Sequence, residues 1–318
     1  MAQPSPRILP SPGASASAEA RSLARNVFVS LRPEQWTKNL LIFAAPLFGR
    51  LLLDGSAVAR ASGAFAVFCA LSGAVYLIND VLDREADQRH PLKARRPIAS
   101  GALAPATALG VAVTLALVAL LASTRLGAPF ALASLSYFAL QALYSGPLKQ
   151  LVILDVLTIA IGFVLRAVAG ALAVAVPISH WLLVCTILLA LFLALAKRRH
   201  ELVLLSDTAT THRTILQEYS PYLLDQMIAI VAAATIMGYA LYTVSAETVA
   251  KFGTDQLLFT LPFPIYGVFR YLYLVHQKQG GGSPSDLLLH DRPLLTCVVL
   301  WVAAVLVILY RPFALPAQ

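Results

Sequence analysis

Three aspartates spaced three and four residues apart lie in the segment 80–87. On a helix, Asp80, Asp83 and Asp87 would share one face within two turns, where like charges repel each other unless a cation lies between them. Oxygen ligands of this kind suit Mg²⁺, which takes one or two carboxylates and completes its shell with water and substrate phosphates. We therefore predict a catalytic magnesium site on Asp80, Asp83 and Asp87, to which Asn79 adds an amide oxygen.

An alternative is a solvated helix whose charges pair locally, Asp80 with Arg84 and Glu85 with Arg89. Local pairing does not explain why three acids form one stripe, so the metal site is the preferred interpretation. Side chains suited to phosphate oxygens follow directly downstream. These phosphate-binding candidates are Lys93, Arg95 and Arg96.

A second polar cluster, the KRRHEL run, contains Lys197, Arg198 and Glu201, and Lys197 and Glu201 are one helical turn apart. Basic residues at the cytoplasmic end of a span are explained equally well by the positive-inside rule and by the helix dipole. A functional role gains weight because the predicted topology brings this run out on the same side as the aspartates. It forms the matching end of a second helical hairpin.

Two further places carry polar side chains within the membrane or at its rim. The turn from Tyr144 to Lys149 puts a phenol and an ammonium at the cytoplasmic rim, which an aromatic belt with a snorkelling lysine also explains. Asp155 and Arg166 lie in one apolar segment, on one helix face but too far apart to pair directly. Ionisable groups at that depth face a bundle interior or a watery cavity and indicate function by default. A structural buried role is the alternative for Arg166.

The elements that must position these residues are membrane helices. Of 318 residues, 58% are hydrophobic and 13% are charged, and the mean hydropathy is +0.75. Soluble chains carry roughly 25% charged residues. The apolar blocks are too long for barrel strands, so the composition predicts an all-α polytopic membrane protein. The nine predicted spans cover approximately 36–53, 57–78, 104–124, 128–144, 151–176, 180–196, 221–245, 255–276 and 293–311.

The basic residues are distributed unevenly between the two predicted sides of the membrane. With the N-terminus inside, 18 of the 24 lysines and arginines fall on cytoplasmic segments, which is a positive-inside signal. The net charge of +8 therefore reports orientation, and we predict no nucleic-acid partner. Residues 1–24, rich in Pro, Ser and Ala, are predicted to be a disordered tail ahead of one transmembrane catalytic domain at 25–318.

The run from Asn79 to Asp87 resembles the first aspartate-rich motif of the UbiA-type membrane prenyltransferase superfamily, and Tyr144-x4-Lys149 is similar to its span-four motif. Within the superfamily the chain most resembles the decaprenyl-phosphate phosphoribosyltransferase branch, over nearly everything after the tail. The supporting stretches are Leu31 to Asn39, NDVLDREADQRHPLKARRPIASG, FVLRAVAG around Arg166, Lys197 to Leu202, and a Gly-rich loop from Gly280 to Ser285 followed by Asp286, Asp291 and Arg292.

The second loop departs from the pattern of superfamily members that use prenyl diphosphates. Such enzymes usually carry a second aspartate-rich motif there, whereas this chain has the KRRHEL run and only the isolated acids Glu201, Asp207 and Glu218. One metal-binding cluster and one basic cluster suit one diphosphate substrate and one substrate with a simpler phosphate.

The resemblance implies a UbiA-like bundle in the plasma (inner) membrane, with a cytoplasm-facing active-site cavity and an N-terminus on the cytoplasmic side. The implied reaction is Mg²⁺-dependent transfer of 5-phosphoribose from phosphoribosyl diphosphate to a decaprenyl-type polyprenyl phosphate, for arabinose donors of the cell envelope. The resemblance leaves open whether the protein forms a homo-oligomer. The expected ligands are Lys38, Lys93, Arg95 and Arg96 for the sugar phosphate or diphosphate, Tyr144, Lys149, Arg166, Lys197 and Arg198 for the lipid phosphate, with Asn79 and Glu201 completing the substrate-binding set.

Two rival functions remain open at this point. An aromatic prenyltransferase of the same superfamily also uses Mg²⁺ and a diphosphate, and the weak second acidic motif argues against it. A transporter is the rival from another class, because Asp155 and Arg166 can mark a solute pathway. The sequence contains no convincing matched pair of broken spans, and acids on one face of the membrane suit a one-sided reaction better.

Overall fold

Helices account for all the secondary structure that the chain shows in its described part. Every such element is an α-helix or a 3-10 helix, which confirms the all-α class. Residues 22–30 are helical, and most of the predicted tail, residues 1–21, lies outside the described residues. The structure is a computed structural model that describes residues 22–310 apart from 90–92, 205–214, 216–217 and 279–281.

The α-helices follow the predicted apolar blocks closely, with boundaries that differ by a few residues. Short 3-10 turns join several of them, among them Lys93–Arg95 and Leu148–Gln150. In chain order the helices are α1 (Ala44–Phe48), α2 (Gly55–Leu82), α3 (Arg84–Arg89), α4 (Pro105–Ser123), α5 (Ala128–Ser145), α6 (Leu154–Ala173), α7 (His180–Leu204), α8 (Pro221–Val244), α9 (Ala246–Phe252), α10 (Pro262–Gln277), α11 (Pro284–His290) and α12 (Arg292–Tyr310).

Seven helices of the described part are long and apolar enough to cross a membrane, judged by length and composition. They are built on α2, α4, α6, α7, α8, α10 and α12, and 3-10 turns extend α4 and α10. Helix α5 has membrane length too, but Pro129, Gln141 and three serines dilute its apolar character. These eight helices correspond to eight of the nine predicted spans.

The remaining predicted span, 36–53, does not form an α-helix of membrane length. Its first part is the 3-10 helix Pro33–Phe43, which α1 continues. A 3-10 helix rises about 2.0 Å per residue against about 1.5 Å in an α-helix, so together the two pieces extend about 30 Å, the thickness of a bilayer core. The apolar block was therefore identified correctly, but its helix type was not.

The chain divides into two compact units. The smaller unit comprises Met1–Pro33 and Ser72–Leu117, and the larger comprises Glu34–Leu71 and Val118–Gln318. In the larger unit α7 packs between α6 and α8, α5 packs on α6, and α10 packs on α12. One core cluster there joins side chains such as Phe192, Leu224 and Tyr271, and a second surrounds Phe68 and Tyr137.

Glycine allows the 3-10 helix Pro33–Phe43 to approach α6 closely. A Cβ atom at Gly170 would lie 2.2 Å from the carbonyl oxygen of Ile42, so only glycine fits at this crossing. Apolar packing at this point fixes the 3-10 helix against α6 and brings its polar residues beside those of α6.

In the smaller unit Leu31, just after the helix at 22–30, packs against α2. A Cβ atom added at Gly73 would lie only 2.8 Å from Cδ2 of Leu31, so the absence of a side chain at Gly73 makes room for Leu31. Asn26 donates a hydrogen bond to the carbonyl of Ala102 at 3.0 Å, and Gln88 donates to the carbonyl of Ala99 at 3.1 Å. These contacts hold the segment after α3 near the acidic end of α2.

Candidate active site

The acidic stripe is helical, as its spacing predicts. Asp80 lies in the last turn of α2, Asp83 lies between α2 and α3, and Asp87 lies in α3. The amide of Asp83 donates to the carbonyl of Asn79 and the amide of Asp87 donates to the carbonyl of Asp83, each at 2.8 Å. Because this helical pattern continues through the junction, the three aspartates stay on one face.

Arginine and lysine side chains surround two of these carboxylates, both of which are buried. Nη1 of Arg96 lies 3.1 Å from Oδ1 of Asp80 and 2.6 Å from Oδ2 of Asp87. Nζ of Lys93 lies 4.0 Å from Asp87. In the described residues Asp80 is therefore paired through the downstream loop instead of with Arg84, so the local-pairing alternative does not describe it. Arg95 is exposed.

Arg32 completes this cluster and was not singled out as a site residue from the sequence. Its Nη2 forms an ion pair with Asp80, and its guanidinium lies 4.8 Å from the ring centroid of Tyr76. Its φ of 52° is unusual for a residue other than glycine. The sequence feature that could have identified Arg32 is the Arg32-Pro33 pair, because proline ends the preceding helix and places the arginine at the helix end.

The donor set fits a divalent cation held by two carboxylates. Within the described ranges, no three His, Cys, Asp or Glu side chains are grouped as metal ligands. Asp80 and Asp87 nevertheless direct oxygens at one cationic nitrogen of Arg96, which shows that both can serve one positive centre. Since Mg²⁺ uses one or two protein carboxylates beside substrate phosphates, two are sufficient. The participation of Asp83 stays a prediction, as does that of the half-buried Asn79.

A second polar cluster is built on the larger unit, at the end of α7. Arg198 is buried, and its Nη2 lies 2.7 Å from Oδ2 of Asp155, which is fully buried in the first turn of α6. Its Nη1 pairs with Glu201, and Nζ of Lys197 lies 3.8 Å from the same carboxylate. The side chains of Lys197 and Glu201 are 43% and 24% exposed, so they are the members of the cluster accessible to a ligand.

Further predicted residues lie around this second cluster. The Tyr144 phenol neighbours Arg198 and Lys197, and Lys38 neighbours Lys197. Lys149 is half-buried in the 3-10 turn after α5. The structure therefore gathers Lys38, Tyr144, Lys197, Arg198 and Glu201, which the sequence had placed in three separate segments.

Tyr219 is a member of the second cluster that sequence reasoning missed. Its hydroxyl donates to Oδ1 of Asp155 at 2.9 Å and accepts from the amide of Ile153 at 2.7 Å. Burial raises the pKa of Tyr219 to about 12, so the phenol keeps its proton at neutral pH. No local motif marks Tyr219, because it lies 64 residues after Asp155 in the chain and comes close to it only when the chain folds.

Arg166, in α6, is held by neutral groups. It donates to Oδ1 of Asn39 at 2.8 Å, to the carbonyl of Gly162 at 2.9 Å and to the hydroxyl of Tyr137 at 2.7 Å. Its guanidinium also stacks on Tyr137 and Phe163. Among the described residues no carboxylate pairs with it. The 3-10 helix, α5 and α6 are thus tied together at one buried cation.

Asp291, the residue between α11 and α12, has a structural role. Asp291 accepts a hydrogen bond from the amide of Leu294 at the start of α12, and Arg270 pairs with it at 2.7 Å. The hydrogen bond from Arg270 holds the pKa of Asp291 below its ordinary value. Residues 280–281 of the predicted Gly-rich loop, Asp207 and His90, a further donor predicted beside Lys93, lie outside the described residues.

A comparison with protein families identifies the group to which these motifs belong. The model of the UbiA prenyltransferase family matches residues 42–285, which is most of the chain. The matched range includes the acidic stripe and the KRRHEL run. The chain belongs to the UbiA prenyltransferase family. The resemblance predicted from the first aspartate-rich motif is thereby confirmed.

Within the UbiA family, the chain is similar to curated enzymes of one activity. It is 34% identical over 295 residues to the decaprenyl-phosphate phosphoribosyltransferase of Corynebacterium glutamicum, covering 91% of this chain and 88% of the relative. It is 33% identical to the enzyme of that name from Mycolicibacterium smegmatis, covering 90% and 92%. These relatives carry the activity that the sequence resemblance implied.

Solved UbiA-family structures share the fold. A UbiA homolog from Archaeoglobus fulgidus bound to GPP and Mg²⁺ matches with a TM-score of 0.70 at 19% identity, covering 90% of this chain and 99% of that chain. A digeranylgeranylglyceryl phosphate synthase structure matches with a TM-score of 0.63 at 13% identity, covering 91% and 98%. At these identities the likeness concerns the fold, and it confirms the predicted UbiA-like membrane bundle.

Proposed function

We propose that this UbiA-family protein transfers 5-phosphoribose from phosphoribosyl diphosphate to a polyprenyl phosphate of the decaprenyl type and releases pyrophosphate. The bond between ribose C1 and the diphosphate oxygen breaks, and a bond between C1 and an oxygen of the acceptor phosphate forms. The product is a phosphoribosyl lipid suited to the synthesis of arabinose donors for the cell envelope.

One observation carries this proposal. The likeness to the Corynebacterium glutamicum enzyme extends over about nine-tenths of both chains, including the acidic stripe and the α7 cluster. The α7 cluster supports it further, because its exposed members are one ammonium and one carboxylate instead of a group of aspartates. A protein with a single acidic stripe, instead of two metal-binding loops, suits a reaction with one diphosphate substrate.

In the proposed reaction, Asp80 and Asp87, with Asp83, hold Mg²⁺. When bound there, the ion supplies charge neutralisation for the leaving diphosphate. Arg32 and Arg96 hold the Asp80 carboxylate in place, because both guanidiniums pair with it. The remaining donors of these arginines, together with Lys93 and Arg95, are suited to phosphate oxygens.

We assign the lipid phosphate to the α7 cluster. Lys197 supplies a partly exposed ammonium, and Tyr144, Lys149 and Lys38 supply further donors in the larger unit. Arg198 is buried between Asp155 and Glu201. We therefore propose that it orients Glu201 and Lys197 and does not bind the lipid phosphate directly. The acceptor phosphate is ionised near neutral pH, so it needs no strong general base, and catalysis depends on positioning and electrostatics.

The hydrogen bonds of Arg166 give it a different role from the lipid-phosphate ligand predicted from the sequence. Each of its three nitrogens already donates to a protein acceptor, and the side chain is buried. We propose that Arg166 fixes the 3-10 helix and α5 to α6.

The test is a labelled-lipid assay on the purified protein reconstituted in bilayers. Incubation with radiolabelled phosphoribosyl diphosphate, polyprenyl phosphate and Mg²⁺ is expected to yield a labelled lipid, whose mass identifies the product. If the protein instead transfers a labelled prenyl group from its diphosphate to an aromatic acceptor and yields no labelled lipid, the proposed reaction is wrong.

Asp80→Asn tests the acidic stripe in the same assay. Removal of one carboxylate charge is expected to lower kcat about 100-fold or more, by loss of electrostatic stabilisation of the leaving group. Glu85→Gln is the matched control, because Glu85 is an exposed acid on α3 near the stripe. Equal turnover of the two variants would remove Asp80 from the proposed site.

A further inference from the structure

Tyr219 joins two parts of the chain that lie far apart in sequence. Its hydroxyl accepts a hydrogen bond from the amide of Ile153, just before α6, and donates one to the carboxylate of Asp155. The same carboxylate pairs with Arg198 on α7 at 2.7 Å. One phenol therefore links the start of α6 to the buried guanidinium of the α7 cluster.

The backbone that Tyr219 holds has an unusual conformation. Ile153 has a φ of 68° and a ψ of −43°, and the amide of Leu154 donates to the carbonyl of Val152 at 2.8 Å. This is the γ-turn with positive φ, which is rare and strained, and a β-branched residue suits it poorly. Such a conformation persists only where surrounding contacts hold it, and outliers of this kind concentrate at functional sites.

From Asp155 the contacts lead to the accessible end of the cluster. Arg198 pairs with Asp155 through one terminal nitrogen and with Glu201 through the other. Glu201 in turn lies beside Lys197, and these last two side chains are partly exposed. A change at Tyr219 is therefore transmitted to exposed groups through two buried charges that have little freedom to move.

We propose that Tyr219 and Asp155 are positioning residues of the acceptor site: through Arg198 they set the placement of Glu201 and Lys197 against the phosphate of the polyprenyl substrate. The proposal rests on the proposed function for the identity of that phosphate. Neither residue touches the substrate; each acts through Arg198.

The decisive variant is Tyr219→Phe, which keeps the aromatic packing of a side chain that belongs to a large core cluster and removes both hydrogen bonds. The expected result is an increase of about tenfold in KM for polyprenyl phosphate, since the lost bond to Asp155 is buried. The KM for phosphoribosyl diphosphate is expected to stay unchanged. A purely structural role would lower the yield of folded protein without separating the two KM values.

Tyr271→Phe is the matched control. Tyr271 is buried in the same core cluster, and its hydroxyl has no hydrogen-bond partner among the described residues. Both KM values are expected to equal those of the wild type. If Tyr219→Phe folds poorly, the double variant Ile153→Gly with Tyr219→Phe relieves the positive φ, because glycine adopts it without strain, and the increase in KM for the lipid is expected to persist.

Direct binding of polyprenyl phosphate to the protein in nanodiscs provides a readout that does not depend on turnover. Weaker binding by Tyr219→Phe but not by Tyr271→Phe supports the positioning role. Equal binding by the two variants overturns it, as does an increase confined to the KM for phosphoribosyl diphosphate. Wild-type protein that binds the lipid but forms no labelled product would refute the proposed function while leaving the binding comparison decisive for Tyr219.

Discussion

Buried charges in this protein are satisfied in two different ways. Arg198 has carboxylates on both terminal nitrogens, whereas Arg166 is held by an amide oxygen, a backbone carbonyl and a phenol. A buried cation without a carboxylate stays charged only if several aligned dipoles replace its water shell. The second arrangement is costly to disturb, because each partner loses a charged donor when the arginine is removed.

Arg166→Met is expected to destabilise the protein by roughly 2–4 kcal/mol, because Asn39 and Tyr137 lose a charged donor in a buried setting. Thermal unfolding in detergent measures the effect. Arg125→Met is the control, since Arg125 is exposed in the 3-10 turn after α4 and is expected to change stability little. Equal melting temperatures for the two variants would contradict the role of Arg166 as an interhelical tie.

At the scale of elements, the first apolar block shows how packing selects a helix type. The segment from Pro33 to Phe43 carries Thr37, Lys38 and Asn39 within an apolar run, and it forms a 3-10 helix against α6. Gly170 removes the steric barrier to this crossing, and Asn39 receives the hydrogen bond of Arg166. The tighter helix lengthens the segment and places Lys38 and Asn39 beside the larger unit's polar groups.

Gly170→Ala is expected to destabilise the protein, because the new methyl group would lie 2.2 Å from the Ile42 carbonyl oxygen and would separate the 3-10 helix from α6. Gly267→Ala is the matched control: Gly267 lies in α10, and a Cβ there would meet nothing within 4 Å. Helix propensity predicts that this control gains about 0.5–1 kcal/mol. Unfolding of both variants in detergent checks the opposite signs.

At the scale of the whole molecule, the seven spans found by length and composition, together with the positive-inside bias, define a multi-pass membrane protein whose orientation is a proposal. The acidic stripe follows α2, and the KRRHEL run ends α7. The same charge bias predicts that both lie on the cytoplasmic side.

Reporter fusions test this orientation. Alkaline phosphatase, which is active only outside the cytoplasm, is expected to be inactive when fused after Arg96 and active when fused after Gly253, between α9 and α10. The reason is that basic residues are retained inside and that the connections alternate between the two sides. Activity at the first fusion and none at the second would invert the topology and move the acidic stripe outside.

The sequence by itself determined the membrane class, the apolar blocks and the face shared by Asp80, Asp83 and Asp87, because each follows from local composition or from helical period. The family followed from the resemblance of the first aspartate-rich motif. It did not determine the partners of those residues. Arg32 reaches Asp80, and Tyr219 reaches Asp155, across separations in the chain that no local pattern encodes. Tertiary packing decided these pairings, the 3-10 form of the first block and the partners of Arg166, since all depend on which surfaces meet when helices distant in sequence pack together.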